Sequence, residues 1–152
     1  MHPRQEEAES AAHPPYVHAI DVRWSDCDPA RIAYTGRIPG FALDAIDAWW
    51  ADAVGHDWYR MNLDRNIGTP FVHLDIDFRA PVTPRHPLLC EVALTRVGRR
   101  SCSFRVVGRQ DGRVCFEGAF VSAFVIADEF KPIDVPAEFV EKISRLVAEA
   151  PR

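Results

Sequence analysis

Asp26, Cys27 and Asp28 stand in a row at the end of an alternating apolar segment, with Pro29 directly after them. Two carboxylates and a thiol in three residues admit three chemistries. A carboxylate can attack a carbonyl carbon or take a proton from water. A thiolate can attack in the same way, and paired acids can hold a metal. The metal reading is poor, because two acids with no further ligands are not a recognisable donor set; no metal is expected. Cys27 has no activating neighbour in sequence and is expected as a small buried thiol. Asp28 remains. The bland reading is that an aspartate before proline starts a turn or caps a helix. The chemical reading is a carboxylate, ionised like any ordinary aspartate at neutral pH, that serves as nucleophile or orients a water. The residues alone leave these readings open.

The flanking elements decide how rigidly that loop is held. Before it, His18, Ile20, Val22 and Trp24 alternate with Val17, Ala19, Asp21 and Arg23, the pattern of a half-buried strand. After it, Ile38, Phe41, Ala42, Ala45, Ile46, Trp49, Trp50 and Ala53 recur at spacings of three and four, so a helix runs from about Gly36 to Val54. Pro39 fits only a first turn, and Gly55 is a natural stop. The stripe is wide, so the helix should be largely enclosed. The free N–H groups at its start, near Thr35 and Gly36, are candidates to hold an oxyanion next to Asp28. A Thr-Gly pair that merely caps the helix is the plainer alternative.

Downstream, a shorter segment covers His56 to Ile67, and Gly68-Thr69-Pro70 leads into an alternating strand from Phe71 to Val82. Its His73, Asp75 and Asp77 share one face; a His-Asp pair there admits a catalytic dyad or a metal site, and the plainer reading is a polar interface or a hydrogen-bonded row. Leu88 to Val97 and Ser101 to Arg109 read as strands joined at Gly98-Arg99-Arg100. Gln110-Asp111-Gly112 is a hairpin turn, and Arg113 to Ala127 is a long strand. Pro136 to Ala150 reads as a terminal amphipathic helix, and residues 1–15 as a flexible tail. One strand, one buried helix and four successive strands make an α+β chain: an antiparallel sheet curled around a central helix, in a single domain over 16–150.

Composition limits the partners. The 152 residues are 47% hydrophobic and carry a net charge of −4, which argues against a general nucleic-acid binder. Only Lys131 and Lys142 of the 18 basic residues are lysine. Arginine suits phosphate recognition, so clusters such as Arg99-Arg100-Ser101 stand out. Cys27, Cys90, Cys102 and Cys115 show no metal-ligand spacing, and no apolar run reaches membrane-spanning length. The expectation is a cytoplasmic protein with reduced thiols and no membrane partner.

The run Asp26-Cys27-Asp28-Pro29-Ala30, followed by Ile32 and the aromatic Tyr34, resembles the active-site loop of the 4-hydroxybenzoyl-CoA thioesterase family of hotdog-fold proteins. The Gly68-Thr69-Pro70 entry to a strand and the Gly98-Arg99-Arg100-Ser101 turn are further points of similarity. The resemblance covers about residues 16–140. It implies a hotdog fold of about five strands around a long central helix, and hydrolysis of an acyl-CoA thioester without a separate cofactor. It makes Asp28 the catalytic carboxylate, with Thr35 and Gly36 at the oxyanion. Tyr34, Arg31, Asp44, Thr69 and His73 become substrate-pocket candidates, and Arg99, Arg100 and Ser101 candidates for the CoA phosphates. Arg31 stands where the family pattern has glycine, and Asp44 lies one residue from the family's phenol-contacting acid. A homodimer or homotetramer is implied, with a partner subunit supplying residues of the Phe71 strand. The alternatives are a thioester hydratase or dehydratase, whose His-containing run is missing from the helix start, and a hotdog that binds acyl-CoA without catalysis.

Overall fold

The computed structural model describes residues 14–147. The elements run β1 (Tyr16–Ile20), α1 (Arg37–Val54), α2 (Trp58–Arg65), β2 (Ile67–Gly68), β3 (Phe71–Phe78), β4 (Leu88–Val97), β5 (Ser101–Gln110), β6 (Arg113–Ala123), β7 (Val125–Ile126), β8 (Lys131–Pro132) and α3 (Ala137–Ile143). Five of the strands form an antiparallel sheet in the order β1-β4-β5-β6-β3, and β2-β7-β8 make a small second sheet. This is the α+β hotdog architecture that the resemblance implies.

The 18 residues of α1 form a helix because their apolar positions fall on one stripe, and the sheet receives that stripe. Ile38, Phe41, Ala42, Ala45, Ile46, Trp49, Trp50 and Val54 are buried, while Ala53 is half-buried. Gly55 ends the helix with φ 78°, where its N–H donates to Ala51 O at 3.0 Å. Across the interface Trp49 and Trp50 meet Phe104 of β5 edge-on, with ring centroids 5.1 and 6.0 Å apart. Phe124 and Phe139 of the terminal segment close over Trp50. These large aromatic side chains, mostly in edge-to-face contact, form the centre of the core.

Register sets the two ends of the sheet apart. His18, Cys90, Gly108, Phe116 and Phe78 lie in one row across the five strands. The loop with Asp28 leaves β1 just beyond that row. At the other end, Val97, Cys102, Ser122 and Phe71 lie in a row. The seven-residue step from Phe71 to Phe78 is about 24 Å of strand.

Four expectations are corrected. The first strand ends at Ile20 rather than Trp24; Val22 stays buried, but Trp24 starts a 3₁₀ turn (Trp24–Asp26) and is exposed. The long last strand breaks at Phe124, whose N–H is taken by Arg100 O and whose O accepts from Ile133, so β7 peels away into the second sheet. The terminal helix stops at Ile143 and tightens into a 3₁₀ turn over Ser144–Leu146; residues beyond 147 lie outside the described residues, as do residues 1–13 of the expected tail. Finally, the strand read from Phe71 to Val82 ends at Phe78. As an edge strand it leaves Val72 66%, Leu74 40% and Phe78 54% exposed.

Gln110 ties the loop after β3 to the sheet. This buried side chain accepts from Thr83 N and donates to Thr83 O and His86 O at 2.7–2.9 Å. Gln110→Ala strands three backbone groups and should cost about 2 kcal/mol. In a thermal melt that loss reads as a drop in Tm of roughly 4–8 °C.

Candidate active site

The loop between β1 and α1 is closed by its own backbone. Cys27 and Ala33 pair in an antiparallel bridge, and Tyr34 N–H donates to Asp26 O at 2.8 Å. Ala33 N–H donates to Val82 O at 2.7 Å, which fastens the loop to the segment after β3 that Gln110 anchors. At the base, Asp26 accepts from Arg23 N at 2.9 Å and faces the Arg37 guanidinium at 3.8 Å. Asp26 therefore works as a brace.

Asp28 is half-buried at the head of a turn: Arg31 N–H donates to Asp28 O at 2.9 Å. Its Oδ1 accepts from Ala30 N at 2.8 Å, and Oδ2 has no partner among the described residues. One carboxylate oxygen is thus pinned and the other is free for a water or a carbonyl carbon. The turn reading and the chemical reading of Asp28 are compatible in one geometry.

The start of α1 adds donors. Arg37 and Ile38 N–H donate to Tyr34 O and Thr35 O at 2.8 and 3.1 Å. Thr35 and Gly36 N–H have no acceptor among the described residues. Two free amides at the positive end of an 18-residue helix suit an anionic oxygen.

Arg31 takes φ 66°, a left-handed conformation that glycine adopts freely. Its side chain is exposed and has no ion-pair partner among the described residues. Arg31→Gly should relieve about 0.5–1 kcal/mol of strain, after the entropy cost of glycine. A urea midpoint above wild type is the expected reading.

The remaining candidates divide by location. Asp44 lies two turns into α1 on its exposed side. Thr69 is buried and lines a cavity of about 330 Å³ with Leu43, Trp58, Phe71, Val125 and Phe130. His73 is exposed and bonds Asp75 Oδ2 at 2.8 Å. Arg99 and Arg100 both reach Asp134 Oδ1, at 3.2 and 3.1 Å. The hydrogen bond from Arg100, then that from Arg99, holds the Asp134 carboxyl below the usual carboxylate range. Ser101 begins β5 beside them. One protomer thus joins Asp28, Arg31, Tyr34, Thr35 and Gly36 at one end of the sheet. Thr69, Arg99, Arg100 and Ser101 sit at the other.

The thiols are not competitors. Burial pushes Cys90 and Cys102 up to about 12, and burial also raises Cys115. Cys27 is half-buried rather than buried, with Sγ 3.6 Å from Arg23 O. Among the described residues no group of acids, histidines or cysteines is placed to hold a metal, and no helix is long and apolar enough to cross a membrane.

Residues 22–143 match the model of the thioesterase-like superfamily. The chain belongs to that superfamily. Among solved structures, a thioesterase-superfamily protein from Jannaschia is 48% identical, with 98% of this chain and 99% of that one covered and a TM-score of 0.86. A 1,4-dihydroxy-2-naphthoyl-CoA thioesterase from Synechocystis shares 18% identity over 86% of this chain and 96% of its own, with a TM-score of 0.77. A DHNA-CoA thioesterase from Staphylococcus aureus shares 16% identity over 85% of this chain and 88% of its own, with a TM-score of 0.77. At such identities the last two show the fold alone. No curated protein matches the sequence.

Within this thioesterase-like chain, sequence reading overlooked the supports of the loop. Gln110 looked like part of an Asp-Gly turn, and Val82 like the end of a strand. A polar residue at the last inward position of β5 was the available signal for Gln110. The cavity walls Leu43, Trp58 and Phe130 carried none, because they come from three separate segments.

Proposed function

We propose that the protein is an acyl-CoA thioesterase, releasing a free acid and CoA from an aromatic or mid-sized acyl thioester. The observation that carries this reading is one loop that holds both the free Oδ2 of Asp28 and the free amides of Thr35 and Gly36, in a chain of the thioesterase-like superfamily. Asp28 either attacks the thioester carbonyl, expelling the CoA thiolate and leaving an anhydride for water to open, or takes the proton of an attacking water. In both routes the carbonyl oxygen gains negative charge, and the two amides stabilise it. No cofactor is required.

The site is completed by a second copy of the chain. The unpaired edge of β3 exposes Val72, Leu74 and Phe78. Pairing two such edges antiparallel about their midpoint sets Phe71 of one copy against Phe78 of the other. Thr69, His73 and the Arg99-Arg100-Ser101 turn then approach the loop of the opposite copy. The apolar cavity beside Thr69 takes the acyl group, and the arginines exchange Asp134 for CoA phosphates. Arg31 and Asp44 contact polar parts of the acyl group. A homodimer, or a tetramer of two such dimers, in the cytoplasm follows from this reading.

The test is thiol release from a panel of aromatic and aliphatic acyl-CoAs. Turnover selective for one acyl class supports the proposal. Tight binding of acyl-CoA without thiol release would replace it with a binding role.

A further inference from the structure

Tyr34 carries a feature that the reading of Asp28 and the helix amides does not use. Its backbone is pinned on both sides, by Tyr34 N–H to Asp26 O at 2.8 Å and by Arg37 N–H to Tyr34 O at 2.8 Å. Its side chain is held by neither bond and is 57% exposed. The ring nevertheless rests on Gly36: a Cβ built there would stand 2.6 Å from Tyr34 Cε1 and 3.2 Å from Cδ1. Gly36 has φ −64°, so its backbone does not require glycine. A side chain at this position would meet the ring and displace it.

The place matters because Gly36 and Thr35 supply the two unpaired N–H groups at the start of α1. Donors act strongly on a developing charge when water is kept from them. A ring set against the helix start removes water from one side of those amides. Resting on the proposed thioester chemistry, we propose that Tyr34 is a positioning residue. Its ring, seated on Gly36, forms the wall of the slot in which the thioester carbonyl meets the Thr35 and Gly36 amides. Contact with the ring, not the hydroxyl, supplies the effect. Tyr34 does not touch the transferred proton and takes no covalent part.

Gly36→Ala pushes the ring off its seat without changing the backbone, and Tyr34→Ala removes the ring. The experiment compares kcat and KM for Gly36→Ala, Tyr34→Ala, Tyr34→Phe and the Gly36→Ala/Tyr34→Ala double variant, on the best acyl-CoA found for the wild type. The expected result is that both single alanine variants lose about tenfold in kcat with little change in KM. The double variant loses no more than either single one, because the same contact is removed twice. Tyr34→Phe, which keeps the ring, loses much less kcat than Tyr34→Ala. Multiplicative losses in the double variant overturn the proposal, as does a change confined to KM. A loss in Tyr34→Phe equal to that in Tyr34→Ala overturns it in favour of the hydroxyl. Melting curves of the four variants separate a folding defect from a positioning one, since a ring that only supported the fold would lower Tm and leave kcat of the folded fraction intact. An active wild type with an unaffected Tyr34→Ala sinks this proposal alone. A wild type inert to every thioester sinks the thioesterase reading and this one with it.

Discussion

Asp28→Asn is expected to remove thioester hydrolysis almost completely, by roughly 10²–10⁴-fold in kcat, with Tm unchanged. Asparagine keeps the oxygen that accepts from Ala30 N, so the turn at 2.8 Å survives. What it loses is the negative charge on the free oxygen, which both proposed routes need. Asp28→Ala is the less clean variant, because it also deletes the turn bond and should cost about 1 kcal/mol of stability. Comparing the two separates chemistry from scaffold. If Asp28 only shaped the turn, asparagine would restore most of the activity that alanine loses. A single turnover in ¹⁸O-labelled water then tests the nucleophilic route: water that opens the anhydride at the Asp28 carbonyl leaves its label in that carboxyl and the product unlabelled, whereas a general base puts the label in the product alone.

That loop was legible because its signal is local. A strand pattern, two acids, a proline and a helix pattern follow one another without a gap, and the eight apolar positions read for α1 are buried or, for Ala53, half-buried. Periodicity works where one side of an element faces one partner. It fails where chain direction changes within a few residues. Trp24 continues the alternation of β1, yet the Arg23–Asp26 backbone bond turns it outward. Phe124 continues β6 in composition, but its backbone bonds belong to Arg100 and Ile133. The left-handed Arg31 is invisible in a pattern of side chains, since nothing in an arginine announces a φ of 66°. Nor could the sequence show how far apart the candidates lie. Thr69 was read as a pocket candidate supplied by a partner subunit and Arg99 as a CoA-phosphate contact, and strand register carries the ends of β3 and β4 next to them to the far end of the sheet within one protomer.

This separation yields the second large effect. Leu74→Lys, in the middle of the exposed edge of β3, should convert the assembly to monomers and reduce hydrolysis to near background, although Asp28 is untouched. In the isolated protomer Leu74 is already 40% exposed, so the substitution should change its folding stability by less than about 0.5 kcal/mol. In a paired edge the same charge is forced into an apolar contact with no counter-ion, which is strongly unfavourable. Sedimentation and thiol release on one sample therefore report two different consequences of one residue. Mixing two crippled chains sharpens the point. An Asp28→Asn chain lacks the carboxylate; an Arg99→Ala/Arg100→Ala chain lacks the proposed phosphate contacts at the other end. If each site takes Asp28 from one copy and the arginines from the other, a mixed dimer contains one intact site. After unfolding and refolding an equal mixture, about a quarter of wild-type activity should return. If each site is built within one protomer, no combination restores an intact one, and the mixture stays as inactive as its parts. Recovery would thus turn the 24 Å between Phe71 and Phe78, estimated from strand rise, from an obstacle within one chain into the reason for pairing two.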